Sequence, residues 1–101
     1  MQKILAIDDK QDNLISIRAL LKNFLPDIVV FTAQSGQEGL EIAKGELPDV
    51  ILLDIIMPGL DGYEVCTQLK ADESTQHIPV IMLTAFKTDS KRGAVRLIPN
   101  V

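Results

Sequence analysis

In 101 residues the chain has one cysteine, one histidine and no tryptophan, and these shortages narrow the field before any motif is considered. The lone Cys66 excludes an internal disulfide and fits a reducing cytosol. At helical spacing beside Val65 and Leu69 it reads as a core thiol. A single His leaves no clustered His or Cys from which a soft-ligand metal centre would be built. Lys and Arg do not gather before residue 87 and the net charge is −4, which argues against a nucleic-acid surface in this domain. A separate DNA-binding domain in a longer parent is not excluded by that argument. No apolar run approaches the length of a membrane span, and the amino terminus reads as a strand, Lys3–Ile7, rather than a signal peptide. No membrane partner and a cytoplasmic location are therefore expected. Internal repeats, low-complexity segments and linkers are absent as well. What remains is ordinary globular composition, 47% apolar and 24% charged, expected to form one domain over 1–101.

The chain is organised around Val50–Asp54, four branched aliphatics that end in a carboxylate and run on into Ile55-Ile56-Met57-Pro58-Gly59-Leu60-Asp61-Gly62. Such a run predicts a short strand buried on both faces, as at the centre of a parallel sheet. Asp54 then lies at the carboxyl end of that strand, the rim where open α/β sheets bind ligands. The competing reading of Asp54 taken alone is a turn or helix cap.

Strand and helix signals alternate along most of the chain, the pattern of a parallel sheet covered by helices on both faces. Lys3–Ile7 is the first strand, closed by Asp8-Asp9. Leu14, Ile17, Leu21 and Phe24 fall on one helical face over 12–24, and Pro26 stops that helix. A second strand is expected over 28–31. Ser35-Gly36-Gln37-Glu38 has the form of a capping box for a helix that carries Leu40 and Ala43 and is over by Pro48. Asp61 and Glu64 repeat the spacing for a third helix, with Tyr63, Cys66 and Leu69 as its inner face. Pro79 opens a fourth strand over 79–83 that ends at Thr84.

Residues at the carboxyl ends of parallel strands meet in space however far apart they lie in sequence. Here those residues are Asp8-Asp9, Asp54 and Thr84. Three converging carboxylates repel one another unless a cation sits among them. Oxygen ligands alone select a hard ion, and a few carboxylates with room for water and phosphate oxygens suit Mg²⁺. The competing reading gives one acid of the pair Asp8-Asp9 a capping role and leaves the others solvated.

These signatures, in this order, resemble the receiver domain of bacterial two-component response regulators over residues 3–86. The resemblance implies a flavodoxin-like, doubly wound, three-layer open parallel sheet. It also implies that Asp54 is a phosphoacceptor, attacking a phosphohistidine on a partner sensor histidine kinase or phosphotransfer protein. Asp9, Asp54 and the backbone carbonyl of Ile56 would hold Mg²⁺, with Asp8 acting through water. Thr84 would offer its hydroxyl to a phosphoryl oxygen, and Ile56 and Phe86, near the cleft mouth, are candidates for controlling water access that read equally well as ordinary apolar loop residues. His77 precedes the fourth strand, and a five- or six-residue strand spans roughly 17–20 Å, so it is too remote to donate to Asp54. Such a domain changes state by chemistry on itself, turns over no outside substrate and is not an enzyme.

Two other functions compete. A haloacid dehalogenase-type phosphohydrolase also uses a strand-end Asp with Mg²⁺, but needs a second Asp two residues later, where this chain has Ile56. A non-phosphorylated interaction or dimerisation module would share the fold and lack affinity for Mg²⁺.

After residue 86 the family pattern breaks down, leaving 87–101 as an atypical tail. No position matches the family's Lys on a fifth strand, and no fifth helix follows. Phosphorylation is therefore expected to be impaired. The fourth strand would also be left as an apolar edge, which invites pairing. Either Val95-Arg96-Leu97-Ile98 supplies a short substitute or a second chain completes the sheet. A parallel crossover takes about a dozen residues or more, and 85–94 is shorter, so completion by a second chain or an exchanged tail is favoured and a dimer is expected.

Overall fold

Apolar strands alternating with capped helices build one sheet in the computed structural model, which describes residues 2–85 and 95–98 apart from the side chains of 84, 85 and 95–98. The elements run β1 (Lys3–Ile7), α1 (Gln11–Phe24), β2 (Val29–Ala33), α2 (Gly36–Glu46), β3 (Val50–Asp54), α3 (Gly62–Ala71), β4 (Val80–Ala85) and β5 (Val95–Ile98). The strand order is β2-β1-β3-β4-β5. The first four strands are parallel, with Leu5 beside Phe31 and Ile51, and Leu53 beside Met82. This is the doubly wound α/β arrangement that the sequence led us to expect.

The caps explain where two helices begin. Ser35 Oγ accepts from the Glu38 amide at 3.1 Å, while Glu38 Oε1 reaches back to the Gln34 amide at 2.8 Å. Asp61 Oδ1 likewise accepts from the Glu64 amide at 2.9 Å and opens α3.

Strand alternation sends Leu5, Ile7, Ile51, Leu53, Val80 and Met82 to one face of the sheet, where Leu40 and Ala43 of α2 and Val65, Cys66 and Leu69 of α3 cover them. Each fully buried aliphatic there contributes about 1.5–3 kcal/mol. Ile4 and Val30 point to the opposite face and pack with Ile28, Leu21 of α1, Val50 and Leu52. The layers are thus α2/α3, sheet and α1.

Four local expectations are corrected. Tyr63 is 57% exposed, because the inward stripe of α3 is Gly62, Val65, Cys66 and Leu69 and leaves Tyr63 on its flank. Phe24 is 72% exposed: the apolar period of α1 continues to its last turn, but of the predicted face only Leu14 is buried. Residues 32 and 33 belong to β2 because Ala6 and Ile7 pair with Thr32 and Ala33. Finally, the fourth-strand edge is not left for another chain. β5 returns antiparallel along β4 in the same chain, with Met82 beside Ile98 and Ala85 beside Val95. The crossover length that counted against a return applies only to parallel pairing; an antiparallel neighbour needs no crossover. Among the described residues no helix is long and apolar enough to cross a membrane.

Candidate metal centre at the carboxyl rim

Three of the sheet's strands carry the site, and their backbone ladders fix its residues. Beyond β1, the Asp8 amide donates to the Ala33 carbonyl at 3.0 Å; beyond β3, the Ile55 amide donates to the Leu83 carbonyl at 3.1 Å. The chain therefore stays in register through the acid-bearing positions. The loop after Asp54 turns at Gly59, whose φ of +72° suits glycine, and returns so that the Gly62 amide donates to the Ile55 carbonyl at 3.0 Å. A Cβ at Gly62 would lie 2.5 Å from the Asp54 carbonyl oxygen and 2.6 Å from the Ile55 Cα. Only glycine lets α3 start directly against the end of β3.

Asp8, Asp9 and Asp54 come together on this rim, each offering a carboxylate oxygen within 4.8 Å of the others. Asp8 is 6% exposed and both of its oxygens are occupied: Oδ1 accepts from the Lys10 amide at 2.9 Å and Oδ2 from Asn13 Nδ2 at 3.0 Å. The Asp54 Oδ1 accepts from the Ile56 amide at 3.3 Å. Asp9 Oδ1 is buried with no hydrogen-bond partner.

At an effective dielectric near 20, two unit charges this close repel by about 3 kcal/mol. A buried, unsatisfied carboxylate oxygen adds about 1–3 kcal/mol or more. A divalent cation relieves both costs. The donor set is all oxygen, as Mg²⁺ prefers, and the three carboxylate oxygens lie close enough together to share one ion. The residues present fit a hard divalent metal.

Ile56 follows Asp54 by two positions and is 47% exposed at the rim. Thr84 lies near the carboxyl end of β4, beside Arg96 of β5. His77 lies in the turn before β4, at the amino end of that strand and away from the rim. Phe86 lies outside the described residues. Two contributors had no role in the sequence reading. Gly62 stood in the quoted loop, and its signal was the Asp-Gly step at a helix start. Asn13 stood five residues after Asp8, a separation that only the turn from β1 into α1 closes.

A family model described as the response regulator receiver domain matches residues 4–97. Over 84 residues the chain is 45% identical to the response regulator PleD of Caulobacter vibrioides, covering 83% of this chain and 18% of that protein. It is 38% identical over 84 residues to the protein PilH of Pseudomonas aeruginosa, covering 83% of this chain and 68% of PilH. The solved N-terminal domain of a response regulator receiver protein from Methanoculleus marisnigri superposes with a TM-score of 0.79 at 34% identity, over 91% of this chain and 76% of that one. The chemotaxis protein CheY4 of Vibrio cholerae gives 0.70 at 34% identity, over 91% and 75%. The chain thus spans under a fifth of PleD's length. The sheet order, the acids gathered at its carboxyl rim and these matches lead to one assignment: the chain belongs to the response regulator receiver domain family.

Proposed function

We propose that residues 1–101 act as one phosphoacceptor switch unit in which Asp54 takes a phosphoryl group from the phosphohistidine of a partner sensor kinase or phosphotransfer protein. The observation that carries this reading is the convergence of Asp8, Asp9 and Asp54 within 4.8 Å at the end of a central strand. A carboxylate oxygen of Asp54 attacks phosphorus, the bond from phosphorus to the imidazole nitrogen breaks, and its electron pair returns to the ring. The product on this chain is an acyl phosphate. Mg²⁺, held by Asp9, Asp54 and the Ile56 carbonyl and by Asp8 through water, would supply charge neutralisation for the incoming phosphoryl oxygens. The Thr84 hydroxyl donates to a phosphoryl oxygen, which couples the end of β4 to the chemical state of Asp54. The domain works in the cytoplasm and contacts neither nucleic acid nor membrane.

Incubation with acetyl phosphate and Mg²⁺, followed by intact mass, tests this reading. Addition of one phosphate, absent with chelator and absent in Asp54→Asn, is the expected result. No Asp54-dependent addition over hours, at saturating metal, overturns the acceptor reading and leaves an interaction module.

A further inference from the structure

Asn13 sits in the first turn of α1, where its backbone amide closes a turn on the Lys10 carbonyl at 3.1 Å. Its side chain leaves the helix and donates Nδ2 to Asp8 Oδ2 at 3.0 Å. Asn is a poor helix former relative to Ala, so helix formation does not explain its presence. Nor does capping: the N-cap of α1 is Lys10, whose side chain makes no cap, and the orphan amide there is taken by Asp8 Oδ1. Asn13 spends its amide on one carboxylate of the acidic cluster.

We infer that Asn13 is a positioning residue for the metal centre, holding the buried Asp8 carboxylate in the cluster so that Asp8 meets an incoming divalent ion without having to rotate. The inference rests on the metal-centre reading above. Three converging carboxylates relax by turning apart when nothing neutral holds them. With Oδ1 on the Lys10 amide and Oδ2 on Asn13, the plane of Asp8 is fixed by two donors, and each oxygen keeps a second lone pair for water or metal. A neutral amide does this without adding a fourth negative charge, as Asp at this position would. Asp9 Oδ1, buried with no hydrogen-bond partner, is an unmet charge in the same cluster that a cation would relieve. Groups that orient metal ligands in this way govern affinity although they never touch the ion.

The test is Mg²⁺ titration of the full chain by calorimetry, comparing wild type, Asn13→Ala, Asp8→Ala and the double variant. Asn13→Ala is expected to raise the Mg²⁺ dissociation constant about threefold to tenfold. Its metal-free melting temperature should fall modestly, because the buried Asp8 Oδ2 loses its donor, a larger effect than the helix propensity that Ala gains. In the Asp8→Ala background the same substitution is expected to change the constant by less than about twofold, since the group it acts through is gone. Where Asp8→Ala does not fold, Asp8→Asn takes its place. An unchanged constant in Asn13→Ala, or an equal loss with and without Asp8, overturns the positioning role. A wild-type chain that takes up no Mg²⁺ at tens of millimolar overturns the metal-centre reading itself, and the two failures are thereby separate.

Discussion

At the scale of single residues, the acidic rim depends as much on what is small as on what is charged. A Cβ at Gly62 would collide with the Asp54 carbonyl oxygen and the Ile55 Cα, and both neighbours are backbone atoms of the strand end. Those atoms cannot yield without carrying Asp54 with them. Gly62→Ala is therefore expected to cost about 1–3 kcal/mol and to weaken Mg²⁺ binding at the same time. Urea denaturation and calorimetry on the same variant check this, and an Ala tolerated within about 0.5 kcal/mol would refute the close-approach argument. The acids themselves were legible in the sequence because Asp8-Asp9 and Asp54 each follow directly on an apolar run, and a parallel sheet gathers such ends. Gly62 and Asn13 were not legible in the same way. Their contributions are a contact to a strand in one case and a reach across a turn in the other, and neither leaves a period in the sequence.

At the scale of elements, periodicity located the helices and strands, and tertiary pairing set their limits. Tyr63 shares the spacing of Cys66 and Leu69, yet Gly62 and Val65 rotate the buried stripe of α3 away from it. Thr32 and Ala33 carry a weak strand signal, but pairing with Ala6 and Ile7 extends β2 through them. The end of α2 shows local chemistry working against the fold. Leu47 closes the helix at φ +48°, a left-handed conformation that a Cβ disfavours, and its side chain is half exposed. Little burial would be lost by removing that side chain, and the strain would go with it. Leu47→Gly is expected to stabilise the protein by about 0.5–1 kcal/mol, read as a higher urea midpoint with an unchanged slope. A lower midpoint would show that the exposed leucine contributes packing that outweighs its backbone strain.

At the scale of the whole molecule, the sheet is closed by the chain itself. The sequence correctly marked the fourth strand as an edge that invites pairing and named 95–98 as one candidate to cover it. What it could not supply was direction, since antiparallel and parallel returns draw on the same apolar residues and differ only in the path between them. β5 covers Met82 to Ala85 of β4, so the bare edge from which a dimer was expected is occupied over most of its length. A four-residue strand is a short cover, and the backbone groups beneath it would become unpaired were it removed. Truncation after residue 94 is therefore expected to produce a chain that associates at lower concentration than the full one, as a larger mass by light scattering at matched micromolar concentrations. Equal masses for the two chains would mean that β5 does not shield the sheet, and that any self-association of this domain runs through another surface.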